Sequence, residues 1–128
     1  MSSVMIDTNI LIRFLGTPEN FLIPLGAYDR IVITPVVTGE FLAGLKDSRK
    51  GHEIRLAFES FLDNPFVDEV PLDSSTGHYY AKIYQTLKQA GKPIPMNDIW
   101  IAAAAIQHSC ALFTQDAHFR NIPELQLA

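Results

Sequence analysis

Four acidic residues of this 128-residue chain are set in or beside apolar stretches: Asp7, Glu40, Asp98 and Asp116. An ionised carboxylate that leaves water loses several kcal/mol of solvation unless it is paired, hydrogen-bonded or bound to a cation. Asp7 is the clearest case, because it interrupts the apolar run "VMIDTNILIRFL". The placement of these residues points to a shared charged site.

Carboxylates that meet in one place repel each other, and their pKa values rise unless a cation neutralises them. Oxygen ligands of this kind suit a hard divalent ion, and Mg²⁺ and Mn²⁺ are the candidates. The sequence therefore points to a divalent cation at the place where these carboxylates meet.

The elements that would bring these residues together can be predicted from the hydrophobic pattern. Strands are predicted at "VMID", "RIVITP", "PFVDEVP" and "CALFT", with a further edge strand at "ELQLA". Helices are predicted at "TNILIRFLG", "VVTGEFLAGLK", "EIRLAFESFLDN", "SSTGHYYAKIYQTLKQAGK" and "NDIWIAAAAIQHS", with a weaker helical segment at "ENFLIPLGAYDR". This alternation is typical of an α/β sandwich, with a mostly parallel sheet of four to five strands covered on both faces. We expect one domain over residues 1–128.

Three of the acidic residues follow a predicted strand directly or lie in the loop or helix that leaves it: Asp7, Glu40 and Asp116. The carboxyl ends of parallel strands share one edge of a sheet, where ligands bind. Asp98 instead precedes the helix that leads into "CALFT", so it joins the others only if that helix begins at the same edge.

Each acidic residue also has an ordinary structural interpretation. Asp7 and Asp98 could each cap the helix that follows. Glu40 could extend from the flank of its helix into water, and Asp116 could form a turn in "TQDAHF". Only the joint pattern favours a site.

The composition limits the classes of function. Ten Lys and Arg stand against 14 Asp and Glu, which gives a formal charge of −4. This argues against a protein that holds nucleic acid by bulk positive charge, but not against one that uses bound cations and a local basic rim. The single cysteine, Cys110, fits a reducing cytoplasm, and no apolar stretch approaches the roughly 20 residues that span a bilayer. The four histidines lack metal-ligand spacing and are interpreted as structural or exposed: His52, His78, His108 and His118.

Four stretches carry the acidic residues in order along nearly the whole chain: "MIDTNILI", "TGEFLAG", "GKPIPMNDIWIAAAA" and "ALFTQDAHF". Together they resemble the motifs of the PIN-domain ribonucleases, and among these the toxins of VapBC-type toxin–antitoxin pairs. The fold that this resemblance implies is a three-layer α/β/α sandwich around a parallel sheet, usually in a homodimer.

The resemblance implies a catalytic, metal-binding acidic quartet of Asp7, Glu40, Asp98 and Asp116, with Asn9 and Thr114 as supporting residues. It implies an Mg²⁺- or Mn²⁺-dependent endoribonuclease that inhibits translation, with tRNA and rRNA as candidate substrates. It also implies a small antitoxin protein whose tail enters the acidic groove.

Two other functions are alternatives to the ribonuclease hypothesis. A signalling receiver module also combines about 120 residues with an Mg²⁺-binding acidic pocket. It needs a lysine after its last strand, where this chain has Thr114. The other is a PIN-like scaffold that binds RNA or a partner without cutting, which an intact quartet disfavours.

Overall fold

The structure, a computed structural model, describes residues 2–46 and 48–128. Its sheet has four strands in the order β3-β2-β1-β4. The strands are β1 (Ser3–Ile6), β2 (Arg30–Ile33), β3 (Val67–Glu69) and β4 (Ala111–Phe113). Every strand pairing within the described ranges is parallel. The predicted α/β/α sandwich around a mostly parallel sheet is therefore confirmed.

Six helices flank this sheet in the described part of the chain. They are α1 (Thr8–Gly16), α2 (Leu22–Gly26), α3 (Pro35–Leu45), α4 (Gly51–Asp63), α5 (Ser74–Gln89) and α6 (Met96–Gln107). Short 3₁₀ turns cover Pro18–Phe21 and Ala117–Asn121. Among the described residues, no helix combines the length and apolarity needed to cross a membrane.

Strand β1 is the centre of the core. It lies between β2 and β4, and Val4, Met5 and Ile6 are all fully buried. Successive side chains of a strand point to opposite faces, so burial of all three requires that both faces of the sheet are covered. This burial on both faces explains why the run at the start of the sequence is continuously apolar.

Helix α6 is also buried on most sides, as its sequence predicts. Ile99 and the residues from Ile101 to Ala105 are almost completely inaccessible to solvent. The four consecutive alanines at 102–105 are small, which allows neighbouring elements to pack closely around the helix.

Three predictions for individual elements need correction. The C-terminal "ELQLA" forms only an isolated bridge between Leu127 and Leu112 instead of a strand, although two backbone hydrogen bonds attach it to β4. The weak segment "ENFLIPLGAYDR" divides into a 3₁₀ turn, which begins at Pro18, and the short α2, because Pro24 lacks the N–H that one continuous helix would need. Helix α6 begins at Met96, before the predicted start, so Asp98 lies in its first turn and Pro95 occupies the cap.

A polar network ties the first turn of α5 to the last turn of α6. The fully buried Thr76 hydroxyl donates to Gln107 Oε1 and accepts from the backbone N–H of Asp73. Gln107 Nε2 in turn donates to Asp73 Oδ1 at 2.9 Å. Because α6 carries Asp98 at its other end, this network helps to fix the helix that presents that acid.

We expect Thr76→Val to destabilise the protein by about 1–3 kcal/mol, since it removes the hydrogen bonds of a buried hydroxyl to Gln107 and Asp73 while keeping the shape of the side chain. Urea unfolding followed by circular dichroism measures the change. Thr86→Val is the matched control, because the Thr86 hydroxyl donates to the Lys82 carbonyl in the same helix and so joins no second element. Its effect should stay within about 0.5 kcal/mol. Equal effects of the two substitutions would show that the network does not stabilise the fold.

Candidate active site

The register of the sheet places Asp7 beside Thr114. Ile6 at the end of β1 is paired with Phe113 at the end of β4, and Asp7 and Thr114 are the next residue of each strand segment. The Thr114 hydroxyl donates a hydrogen bond to Asp7 Oδ2. Two residues separated by most of the sequence therefore meet at the carboxyl edge of the sheet.

Asp7 is buried, with 6% of its surface exposed. Its other oxygen, Oδ1, accepts a hydrogen bond of 2.9 Å from the backbone N–H of Ile10, so Asp7 is also the N-cap of α1. Burial raises the pKa of Asp7, the bonds from Thr114 and Ile10 oppose the rise, and the charges of Asp116 and Glu40 add to it. Asp7 therefore caps α1 and also lies close enough to Asp116 and Glu40 for their charges to raise its pKa.

Glu40 is fixed by two polar side chains from other elements. The Thr8 hydroxyl in α1 donates to Glu40 Oε1 at 2.7 Å, and Asn97 Nδ2 in α6 donates to Oε2 at 3.3 Å. Although Glu40 is exposed, both of its oxygens are thus held on the side of α3 that faces α1 and α6. Glu40 thus extends from the flank of α3 into water, as its ordinary interpretation has it, and is at the same time held by two hydrogen bonds.

Asp98 reaches the same edge because of the direction of α6. The helix leads into β4, which runs parallel to β1, so it must begin where the strands end. The Asn97 contact with Glu40 agrees with this direction. This direction of α6 places Asp98 at the carboxyl edge of the sheet, where Asp116 also lies.

Asp98, Asp116 and His118 each place a potential ligand atom within 4.8 Å of the other two. Asp116 caps the 3₁₀ turn after β4 by accepting from the His118 backbone N–H at 2.9 Å, and His118 Nδ1 lies 3.1 Å from Asp116 Oδ1. The backbone N–H of Asp116 donates to the Thr114 hydroxyl at 3.0 Å. Two carboxylates and an imidazole at this spacing match the ligands that divalent cations accept.

The surroundings of Asp98 raise the pKa of this residue. Burial, followed by the charges of Asp116 and Glu40, raises the pKa of Asp98 to about 6; His118 opposes the rise and Asp7 adds slightly to it. The charges of Asp116, Glu40 and Asp7 are therefore close enough to Asp98 to affect its ionisation. A cation bound between them would remove this repulsion.

Asn9, predicted as a supporting residue, does not take part in these hydrogen bonds as far as the described residues show. It lines a groove of about 400 Å³ together with Ile12, Arg13, Gln115 and Asp116. The groove opens beside the acidic residues, because Asp116 belongs to both.

Sequence reasoning missed the contacts of Thr8 and Asn97 with Glu40. Both residues are direct neighbours of an acid, at 7 and 98, and this adjacency was the only signal available. His118 was interpreted as an ordinary exposed residue; it is exposed, yet it lies against Asp116.

Comparison with known proteins identifies the family of this chain. The sequence profile of the PIN domain matches residues 4–125. Ribonuclease VapC1 of Haemophilus influenzae (strain R2866) is 28% identical over 127 residues, which cover 95% of this chain and 93% of that protein. Ribonuclease VapC of Rickettsia bellii (strain RML369-C) is 30% identical over 131 residues, which cover 97% and 93%.

Among solved structures, that of VapBC2 from Rickettsia felis bound to a DNA fragment from its promoter superposes with a TM-score of 0.84. The two chains are 27% identical, and the match covers 98% of this chain and 97% of the other. The family profile, the full-length relatives and the superposition all point to the same family and fold. The chain belongs to the PIN-domain family, alongside the VapC ribonucleases.

Proposed function

We propose that this protein is an endoribonuclease that hydrolyses RNA phosphodiesters and depends on Mg²⁺ or Mn²⁺. The observation that carries the proposal is the gathering of Asp7, Glu40, Asp98 and Asp116 at one edge of the sheet. The names of the full-length relatives, which are ribonucleases, support the reaction class.

We assign cation binding to Asp98 and Asp116, with Asp7 as a third carboxylate and Glu40 as a ligand or as the residue that positions the attacking water. The bonds from Thr8 and Asn97 keep the Glu40 carboxylate oriented without neutralising its charge. Thr114 has a supporting role, because its hydroxyl contacts both the Asp7 carboxylate and the Asp116 backbone. Asn9, in the adjacent groove, is assigned to contact with the substrate.

When bound, a divalent cation would lower the pKa of a water molecule and offset charge on the reacting phosphate. The carboxylates hold the reacting groups in place, and the buried wall around Asp7 keeps bulk water away from one side of the site. Attack by water leaves a 5′-phosphate and does not require the ribose 2′-hydroxyl. Products ending in a 2′,3′-cyclic phosphate would contradict this mechanism.

We further propose that the chain is the toxin of a toxin–antitoxin pair that inhibits translation in the cytoplasm by cutting tRNA or rRNA. The superposed VapBC2 structure supports a protein partner. An acidic groove on a chain of charge −4 suits a basic tail of a small antitoxin. We also propose that the chain forms a homodimer, as its resemblance to the PIN-domain ribonucleases implies.

The two alternatives fare differently. A receiver module is not supported, since Thr114 follows β4 where a lysine is needed and the family is the PIN domain. A PIN-like scaffold that binds RNA without cutting it differs from an enzyme only in activity, and an assay separates the two.

We expect Asp98→Asn and Asp7→Asn each to reduce cleavage of a single-stranded RNA at least about 100-fold, since each removes a carboxylate charge from the cation site. Gel-based cleavage with Mg²⁺, with and without chelator, measures the loss. Asp63→Asn is the matched control, because Asp63 is an exposed residue at the end of α4, where the chain enters the opposite edge of the sheet.

In bacteria, expression of the wild-type chain and of Asp63→Asn should arrest growth, and the two site variants should not. Cleavage that survives chelator, or that survives Asp98→Asn, would refute the catalytic assignment. Cleavage without growth arrest would leave the nuclease in place and contradict the toxin proposal.

Removal of the Thr114 hydroxyl should weaken the site without removing an acid. We expect Thr114→Val to lower the apparent affinity for Mg²⁺ in the cleavage assay about 10- to 100-fold, as is typical when a group that orients a metal ligand is lost. A titration of activity against Mg²⁺ measures this effect. Thr86→Val serves as control, and an unchanged Mg²⁺ dependence of Thr114→Val would show that the hydroxyl does not orient Asp7.

The raised pKa of Asp98 makes this residue a source of instability in the metal-free protein. The unfolded chain releases the Asp98 proton near its ordinary value of 3.8 and the folded chain only near 6, so the contribution of this group to stability falls as pH rises between them. We therefore expect Asp98→Asn to raise the melting temperature by a few degrees at neutral pH and much less near pH 4.

Mg²⁺ should raise the melting temperature of the wild type more than that of Asp98→Asn, because only the wild type keeps the full ligand set. Differential scanning calorimetry at the two pH values, with and without Mg²⁺, provides the measurement, and Asp63→Asn again serves as control. A variant that is less stable than the wild type at neutral pH without metal would contradict this account.

A further inference from the structure

The last turn of α1 presents an arginine to the loop that follows β4. The exposed Arg13 donates from Nη1 to the side-chain oxygen of Gln115. Gln115 directly precedes Asp116, whose carboxylate lies within 4.8 Å of ligand atoms of Asp98 and His118. The guanidinium is thereby tied to the loop that carries one of the site acids.

Arg13 and Asp116 line the same groove of about 400 Å³, together with Asn9, Ile12 and Gln115. A strand of RNA that reaches the acids through this groove would meet the Arg13 guanidinium beside the site. The groove thus combines the guanidinium of Arg13, held by Gln115, with the carboxylate of Asp116.

The partner of Arg13 is neutral, so the charge of the guanidinium is not cancelled. Within the described residues, Arg13 forms no ion pair, whereas Arg30 and Arg55 each lie against a carboxylate. A guanidinium has five N–H donors, and the bond to Gln115 uses one of them. The remaining donors match the oxygens of a phosphate, which arginine binds in a two-pronged manner.

RNA needs such a group here, because its phosphates are repelled by the carboxylates unless cations balance them. Favourable attraction at the groove must come from bound metal or from a nearby basic side chain. A flexible side chain loses conformational entropy when it binds, and the tie to Gln115 reduces that loss by holding the guanidinium in place beforehand.

We propose that Arg13 binds a backbone phosphate of the RNA next to the scissile one, and that Gln115 is the positioning residue for its guanidinium. This inference rests on the proposed ribonuclease function and adds the substrate contact that a net acidic protein requires. Arg13 acts on substrate binding, while the acids act on the reaction itself.

The test is steady-state cleavage of a single-stranded RNA oligonucleotide by the full chain at fixed, saturating Mg²⁺. Arg13→Gln should raise KM about tenfold and leave kcat within about twofold, since a charge-assisted hydrogen bond is lost in both the bound substrate and the transition state. The slope of log(kcat/KM) against log salt concentration should become shallower by about 0.7, the value for loss of one contact to a single-stranded phosphate.

Two further variants separate the charge from the fold. Arg13→Lys keeps the charge, so the salt slope should return to that of the wild type even if KM is only partly restored. Gln115→Glu places a carboxylate against the guanidinium, and it should raise KM in the way Arg13→Gln does. Arg55→Gln is the matched control, because Arg55 is an exposed arginine paired with Glu59 on α4; its KM and salt slope should equal those of the wild type.

The outcomes distinguish this inference from the function on which it depends. A wild-type chain that does not cleave RNA contradicts the proposed function, and the inference fails with it. An active wild type with unchanged KM and salt slope in Arg13→Gln overturns the inference alone. A lower kcat and melting temperature of Arg13→Gln at unchanged KM would identify Arg13 as a structural link between α1 and the loop. Loss of binding to a protein partner at unchanged KM would instead assign Arg13 to that partner. Either result also overturns the proposal.

Discussion

Mutual repulsion among carboxylates at the carboxyl edge of the sheet is the constraint on which the rest of this structure depends. The parallel arrangement of β1, β2 and β4 brings the ends of these strands to one edge, and the residues that follow them come with it. This geometry buries Asp7 and places Asp98 close to Asp116. The fold keeps these charges together because the apolar core on both faces of β1 is much larger than the acidic edge.

Neutral donors limit the repulsion without removing the charges. Thr114 donates to Asp7, and Thr8 and Asn97 donate to Glu40. A lysine or arginine in their place would form ion pairs and occupy the ligand oxygens, whereas a hydroxyl or amide leaves them able to bind a cation. The site is therefore oriented but not neutralised, which suits metal-dependent chemistry and lowers the stability of the metal-free protein.

A neutral partner also orients a charged group in the groove lined by Arg13 and Asp116. Gln115 holds Arg13 with a neutral oxygen, so this basic side chain is oriented but keeps its charge. The distribution of charge matters more here than the net value of −4, because an acidic chain binds RNA only through local positive groups and bound cations. A ribonuclease of this design can also be blocked by a basic segment that enters the groove.

The sequence by itself determined the elements and the unusual acids. Local hydrophobic periodicity and stop signals predicted α1 with its observed bounds, the apolar β1 and the buried α6, because these signals act over a few residues. Only the tertiary structure decided which residues meet: that Thr114 is the partner of Asp7, that Asn97 and Thr8 hold Glu40, and that Asp98 lies in the first turn of α6 instead of capping it. It also reduced the predicted final strand to a bridge at Leu127. Such contacts depend on strand order, register and helix direction, which arise from packing of the whole chain and leave no local pattern in the sequence.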